Sequence, residues 1–338
     1  MEKQSLSIII PNRNGGRTIG ACLDAIYAIN DDCSEVVVVD DCSEDGSPGL
    51  IRKFPCRLVQ LTKHSGAGTA RNAGAMNATG GILFFIDADC ILEEDTLDRV
   101  RQELGGRPGN TVLGGTYSPT PYDGGFYSRF QAAFINYSET KDPAHPDYLA
   151  THALAIHAET FRKTGGFREN FLPILEDVEF SHRLRRAGYR LVMDPDCRVR
   201  HIFNFTLLRS LRNAVRKTRY WVLYSLMNRD LFADSGAASK EIKINGVAWM
   251  ASAALAAVWF LTGQRWTLMV LPVLWGANLF FQVRLFRAFI KAGGNAFAVM
   301  ASLYYCLIYP AAVWAGAISG VMRYIFRKVN EPRDILPA

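Results

Sequence analysis

The sequence predicts an α/β protein: a mainly parallel sheet with helices on both faces, then an amphipathic segment, then helices apolar enough to cross a membrane. Three observations predict this. Up to residue 205, short apolar runs rich in β-branched residues alternate with helical periodicities, the pattern of a wound parallel sheet. A basic, amphipathic stretch begins near residue 206. Three apolar segments follow (246–261, 266–283 and 297–321), each close to the ~20 residues that cross a bilayer. The expected organisation is therefore 1–205 for the sheet domain, 206–245 for an interfacial segment and 246–338 for a membrane region of two or three helices.

The 338 residues carry a net charge of +6, and charged residues make up only 21% of the chain. The excess of positive charge suits anionic neighbours, a membrane surface as well as a nucleic acid. The low charged share implies that part of the chain avoids water. Seven cysteines are scattered without a Cys-x-x-Cys pair or a histidine at metal-binding spacing, so reduced, structural thiols in a cytosol-facing protein are expected. Met1 to Ser5 is polar, and Leu6 to Ile10 is too short for the apolar core of a signal peptide. The first domain is thus expected to stay in the cytoplasm.

In chain order, Leu6 to Pro11 reads as a first buried strand, closed by Pro11 and by Asn12-Arg13-Asn14-Gly15-Gly16. Thr18 to Ile29 is a helix with Ile19, Cys22, Leu23 and Ile26 on one side. Glu35 to Asp40 is a second strand running into Asp41-Cys42-Ser43, with Glu44-Asp45-Gly46 as a turn. Arg57 to Leu61 is a short third strand. Lys63 to Gly68 is a glycine-containing loop, and Thr69 to Ala78 is a helix of small residues. Ile82 to Ile86 is continuously apolar, as a strand buried on both faces should be, and it stops at Asp87-Ala88-Asp89. Downstream, Leu175 to Gly188 has a helical stripe through Val178 and Leu184, with Glu176 and Asp177 at its N-terminal end. A late strand ends at Val199-Arg200-His201.

From Thr206 to Phe232, basic residues such as Arg209, Arg212, Arg216 and Arg219 interleave with Leu, Trp and Tyr, which suits a helix lying in the headgroup plane. Only Thr262 to Arg265 joins the first two apolar segments, so a hairpin is expected, with Arg284, Arg287 and Lys291 on the cytoplasmic side. The third segment leaves two options. If it spans, Arg323, Arg327 and Lys328 lie outside, against the positive-inside tendency. Pro310 permits a kinked or re-entrant helix instead.

The strand ends at Pro11, Asp40-Asp41 and Asp87-Ala88-Asp89 should meet at one sheet edge, where open α/β sheets bind ligands. Asp87 and Asp89 alternate at a strand end and can hold a divalent cation, which would in turn hold a diphosphate. Asp40 or Asp41 can accept a hydrogen bond from a nucleobase N–H or a ribose hydroxyl. Arg71, opening a helix after Gly68, can approach a diphosphate with help from the helix N-terminus. Glu176 and Asp177 can cap their helix, or one can act as general base on an acceptor hydroxyl. No Gly-x-Gly-x-x-Gly follows the first strand, which argues against dinucleotide binding.

Ile8 to Asn14, Val39 to Ser43, Ala70 to Gly74, Asp87 to Asp89, Gly165-Gly166-Phe167 and Glu176-Asp177 occur in the order and rough spacing of a known family. Over about its first two thirds the chain resembles the family 2 glycosyltransferases of GT-A fold. The resemblance implies a GT-A (Rossmann-like) sheet and inverting, metal-dependent transfer from a nucleotide diphosphate sugar, a UDP-sugar first. The acceptor would be membrane-associated, such as a lipid-linked glycan or glycolipid. It places Asp41 by the nucleobase, with Pro11, Asn14 and Asp40 at the donor site, Arg71 near the nucleotide and Asp87 close to the ribose. Asp89 would bind Mg²⁺ or Mn²⁺, with Asp87 and His201 as further ligands. Asp177 would be the catalytic base, with Glu176 beside it. No nucleic-acid partner is implied, and the setting is a bacterial-type inner or plasma membrane with the catalytic domain in the cytoplasm.

His152 is a candidate for the acceptor cleft. Arg219 and Tyr220 are others, because Arg216 to Trp221 approaches the Gln-x-x-Arg-Trp motif of processive synthases. It lacks the Gln and has Tyr220 in the Trp position. That departure favours transfer of one sugar over processive polysaccharide synthesis. A sugar-nucleotide nucleotidyltransferase would need a glycine-rich basic loop after the first strand, which Asn12 to Gly16 imitates poorly. An inactive, membrane-anchored nucleotide-binding protein is the remaining alternative, and oligomeric state is left open.

Overall fold

The apolar runs of the N-terminal part form one eight-stranded sheet, ordered β3-β2-β1-β4-β7-β6-β8-β5. The computed structural model describes residues 4–330 apart from 30, 33 and 170, with side chains to residue 326. Most of the polar N-terminus, Cys33 and the side chains of Arg327 and Lys328 therefore lie outside the described residues. By contacts the chain divides into two units, residues 1–124 with 139–204 and residues 125–138 with 205–338.

In the first unit, β1 (Leu6–Asn12) is followed by α1 (Ile19–Ala28), β2 (Ser34–Asp40), α2 (Ser47–Ile51), β3 (Arg57–Gln60), α3 (Ala67–Met76) and β4 (Ile82–Phe85). These four strands are parallel to one another, joined through helical crossovers. Next come β5 (Cys90–Leu92), α4 (Thr96–Gly105) and β6 (Thr111–Tyr117), then α5 (Phe126–Thr140), most of which groups with the second unit. A 3₁₀ turn (Thr151–Ala153), β7 (Leu154–His157), α6 (Ala158–Lys163), α7 (Glu176–Arg186) and β8 (Arg190–His201) complete the unit.

The sheet is mixed. β7 runs antiparallel to both β4 and β6, β5 runs antiparallel to β8, and β6 with β8 is parallel. The expectation of a mainly parallel sheet is thus corrected beyond β4. The physical reason is that an apolar run buried on both faces looks the same in either direction, and no crossover helix leads directly into β7. Ile8, Ile9 and Ile10 of β1 are fully buried. One core layer joins Ile9, Leu83 and Phe85 to Phe161, Phe167 and Phe180. The ring centroids of Phe85 and Phe167 lie 5.3 Å apart, and those of Phe167 and Phe180 lie 4.8 Å apart. This aromatic wedge seats α6 and α7 against the sheet. Register pairs Asn12 with Asp40 and Ile9 with Phe85, so the carboxyl ends of β1, β2 and β4 fall on one edge.

The second unit contains residues 126–138 of α5, α8 (Leu207–Asn228), α9 (Lys240–Thr262), α10 (Trp266–Leu303), a π-helical turn (Tyr304–Ile308) and α11 (Tyr309–Asn330). Residues 125–138 group here because Phe130 packs on Phe289 and Tyr304, at centroid distances of 5.6 and 4.8 Å, and Phe134 on Tyr305 at 5.9 Å. A boundary drawn at residue 205 leaves that segment with the sheet. Residues 206–245 likewise group with the apolar helices rather than standing alone.

The second and third apolar segments belong to one helical run, broken at Gly294, whose φ is 77°. Pro310 follows the π turn, as expected of a residue that removes an N–H and crowds the preceding turn. Carbonyls in that turn find donors on α9: Asn245 Nδ2 donates to Tyr305 O at 2.8 Å and Trp249 Nε1 to Leu307 O at 3.0 Å. Irregular backbone inside apolar helices survives where neighbouring side chains satisfy it. The hairpin between α9 and α10 turns at Gly263, with φ 67°. Helix α8 packs on α11 at Gly316 and Gly320, where a Cβ would stand 2.6 Å from Val215 O and from Arg219 O respectively. Two stretches, Lys240–Thr262 and Trp266–Phe326, are long and apolar enough to cross a membrane by length and composition. Phe260, Leu261, Met269 and Phe280 on them are largely exposed.

Candidate active site

Where β2 ends, two adjacent carboxylates turn different ways. Asp40 is buried, and its Oδ1 accepts from Asn12 Nδ2 at 2.9 Å and its Oδ2 from the Ser43 N–H at 3.2 Å. It ties β1 to β2. Asp41, also buried, accepts from the N–H groups of Ser65 (2.7 Å) and Gly66 (2.9 Å) and lies 2.7 Å from His64 Nδ1. It thereby fixes the loop that enters α3. Asn14, at φ 52°, donates its N–H to Ser43 Oγ and accepts from the Glu44 N–H, both at 2.8 Å. Pro11 pairs with Val39 beside them. The first two strand-end loops are thus laced together at the edge.

Helix α3 begins at Gly66, whose φ of 90° suits glycine. A Cβ on Gly68 would stand 3.4 Å from Arg168 O and 3.7 Å from Glu176 Cβ, so the starts of α3 and α7 are in contact there. Arg71 is buried, with Nη1 2.5 Å from Glu176 Oε1 and Nη2 2.6 Å from Asp87 Oδ1. Burial disfavours the guanidinium charge, but Asp87, Glu176 and Asp177 together hold its pKa above the ordinary value. Burial likewise raises the Asp87 carboxyl, but Arg71, His152 and His201 together outweigh it, leaving Asp87 below the usual range. On the same helix Asn72 donates Nδ2 to Phe167 O at 2.8 Å and accepts the Phe167 N–H on Oδ1 at 2.9 Å. This two-way bond clamps the Gly165-Gly166 turn, both of whose φ angles are positive.

Helix α7 starts after Leu175, held at φ 78°. A branched residue in the left-handed region is strained, and such strain gathers at functional sites. Glu176 is committed to Arg71, whereas Asp177 accepts from the Val178 N–H at 2.8 Å and, at 3.4 Å, from the Thr151 N–H. Burial first, and then the Glu176 charge, push Asp177 up to about 6.

Asp89 lies beyond β4, and burial, followed by the charge of Asp87, pushes it up to about 7. His201, ending β8, brings Nε2 to 3.3 Å from Asp89 Oδ1. The Cys90 thiol belongs to the same cluster, its ligating atom within 4.8 Å of the others. Burial first, and then the charges of Asp89 and Asp87, raise its pKa well above that of an ordinary thiol. A carboxylate crowded by a second carboxylate, with an imidazole beside it, fits a divalent cation, and the nitrogen donor suits Mn²⁺ at least as well as Mg²⁺.

His152 is buried in the 3₁₀ turn, stacked on Tyr117 at 3.8 Å between centroids, with Nε2 3.3 Å from Glu139 Oε2. Arg219 and Tyr220 belong to the second unit. There Tyr220 is buried and has the Arg323 guanidinium 5.7 Å from its ring centroid. The first unit therefore brings together Arg71, Asp87, Glu176 and Asp177, with Asp89 and His201 paired next to Asp87. Sequence reasoning missed Asn72, Tyr117 and Glu139. Asn72 stands inside the Ala70 to Gly74 motif and was within reach; Glu139 sits in an ordinary helical stretch with no local signal.

Residues 7–164 match the family described as glycosyl transferase family 2. The glycosyltransferase AglE of Haloferax volcanii is 28% identical over 238 residues, covering 68% of this chain and 78% of AglE. Glycosyltransferase GlyG of Streptococcus pneumoniae is 27% identical over 127 residues, covering 36% of this chain and 42% of GlyG, so the match spans less than half of that relative. Among solved structures, the mannosyltransferase PcManGT of Pyrobaculum calidifontis, in complex with GDP-Man and Mn²⁺, superposes with a TM-score of 0.58 at 20% identity. It covers 95% of this chain and 88% of its own. That likeness establishes a GT-A-like fold.

Proposed function

The chain belongs to glycosyl transferase family 2 and is a nucleotide-sugar glycosyltransferase, and from that premise we propose inverting transfer of one sugar to a membrane-associated lipid acceptor. The observation that carries the reading is the contrast between neighbouring carboxylates: Glu176 is spent on Arg71, while Asp177 is raised to about 6 and only lightly hydrogen-bonded. That is the condition of a general base for a hydroxyl near neutral pH. Asp177 takes the acceptor proton as the acceptor oxygen bonds to the anomeric carbon. The bond from that carbon to the diphosphate oxygen breaks, and the leaving nucleoside diphosphate keeps the electron pair.

Asp89 and His201, with Asp87 nearby, would hold Mn²⁺ or Mg²⁺. A bound divalent ion supplies charge neutralisation for the departing diphosphate. Asp87, fixed by Arg71, is available to a ribose hydroxyl. Asp41 keeps acceptor capacity beyond the loop N–H groups and serves a base N–H, with Pro11 and Asn14 walling that end. Asp40, spent on Asn12 and Ser43, supports it from behind.

A lipid acceptor is supported by the exposed apolar residues of α9 and α10 and by a cavity of about 320 Å³ in the second unit. Phe134, Trp221, Ile242 and Val313 line it, with Lys217 and Lys243 among them. Apolar walls with cationic groups suit an anionic amphiphile. Transfer of one sugar, rather than processive synthesis, follows from the missing Gln before Arg219 and the burial of Tyr220.

The test is a screen of UDP-, GDP- and dTDP-sugars with Mn²⁺ and membrane lipid extract, following label into the lipid phase. GDP-mannose is included because PcManGT was solved with GDP-Man. Label transfer with one donor, abolished by EDTA and by Asp177→Asn, is expected. Tight nucleotide binding with no transfer or donor hydrolysis would favour a binding protein, and sugar-nucleotide formation from a nucleoside triphosphate would favour a nucleotidyltransferase.

A further inference from the structure

Five side chains behind the Asp89–His201 pair have no place in the chemistry above, and they form a continuous chain of contacts. Glu139 is buried, although a carboxylate is costly to bury without partners. It accepts from Thr116 Oγ1 at 2.8 Å and stands 3.3 Å from His152 Nε2. His152 lies flat on Tyr117, 3.8 Å between centroids at 22°. Tyr117 in turn meets His201 edge-on at 4.9 Å, and Phe203 stacks on the His201 ring at 3.9 Å and 17°, its own ring 5.5 Å from that of Tyr117. Thr116 and Tyr117 end β6, next to β8, which carries His201.

We propose that Glu139 and Tyr117 are positioning residues for a divalent cation, acting through the stacked His152 to hold the His201 ring against Asp89. The inference rests on the metal reading of Asp89 and His201. Glu139 stands 3.3 Å from His152 Nε2, His152 and its 3₁₀ turn back the Tyr117 ring, and Tyr117 with Phe203 confines the His201 ring. Groups outside the ligand shell that fix ligand orientation commonly change metal affinity by about 10–100-fold. A buried acid at this place is otherwise unexplained, since it touches no group that reacts.

The experiment measures Mn²⁺ binding to the full-length, detergent-solubilised protein by calorimetry, without donor or acceptor, alongside metal-free thermal stability. Glu139→Ala and Tyr117→Ala are expected to weaken Mn²⁺ about tenfold or more. Tyr117→Phe, which keeps the ring, should stay near wild type, and Glu139→Gln, which keeps an acceptor for Thr116, should fall between. Should Glu139→Ala fail to fold, Glu139→Gln and the Tyr117 pair carry the test. Wild-type Mn²⁺ affinity in Tyr117→Ala and Glu139→Gln would overturn the proposal, as would equal losses in Tyr117→Phe and Tyr117→Ala. Wild-type protein that binds no Mn²⁺ would instead overturn the metal reading beneath it.

Discussion

Arg71 bridges Asp87 and Glu176, residues 16 and 105 positions away in the chain, at 2.6 and 2.5 Å. One buried guanidinium thus fixes the end of β4 against the start of α7. It also explains why Glu176 and Asp177, adjacent in sequence, differ in environment.

Replacing Arg71 by Met should strand two carboxylates around an apolar side chain. Breaking a buried ion pair costs about 3–5 kcal/mol, and the partial exposure of Asp87 puts this case at the low end. Arg71→Lys should lose less, since it keeps the charge but not the fork. Thermal unfolding of both variants checks the order, and an unchanged midpoint for Arg71→Met would refute it.

Asp177→Asn should lower turnover by about 10²–10⁴-fold while donor affinity, read by titration, changes little. In the wild type the base works only when deprotonated. The rate should therefore climb as pH rises through about 6 and, below it, fall in inverse proportion to proton concentration. A parallel loss of donor binding would remove Asp177 from the role.

The same ionisations weaken the fold. Asp177 and Asp89 have folded-state values near 6 and 7, above the ordinary 3.8. Between about pH 4 and 7 the folded protein holds protons that the unfolded chain has released, so stability falls as pH rises through that window. In metal-free protein Asp177→Asn should flatten the lower part of this decline, measured as midpoint against pH. A midpoint rising over the same range would contradict the assigned shifts.

Asn72→Asp should loosen the Gly165-Gly166-Phe167 turn, because a carboxylate cannot donate to Phe167 O. An unsatisfied buried carbonyl costs about 1–3 kcal/mol. Hydrogen exchange at the Phe167 amide and the unfolding midpoint should both report it, and unaltered protection would show that the clamp is dispensable.

Gly316→Leu or Gly320→Leu should force α8 from α11, since even a Cβ would meet the carbonyls of Val215 and Arg219 at 2.6 Å. A lower thermal midpoint in detergent is expected. The neighbouring exposed Ile318→Leu should leave it unchanged.

The carboxyl ends of β1, β2 and β4 were legible because continuous β-branched runs ending in Asn or Asp mark buried strands and their polar rims. Asp41, Asp87 and Asp89 stood out for that reason, and Arg71 because it opens a helix after Gly68. What escaped was direction and partnership. The antiparallel entry of β7 leaves no trace in Leu154 to His157, and the grouping of 125–138 with the C-terminal helices depends on Phe130 and Phe134 meeting rings more than 150 positions away.

By itself the sequence determined the strands and helices up to Ile86, the helix that starts at Glu176 and Asp177, which strand ends carry acid, and that the C-terminal third is apolar enough for a bilayer, because periodicity and composition are local properties. Only the tertiary structure decided that Glu176 serves Arg71 while Asp177 stays available, and that Glu139, through His152 and Tyr117, stands behind His201. Those assignments depend on distances between residues remote in the chain, and burial and neighbouring charge, rather than residue type, set what each carboxylate can do.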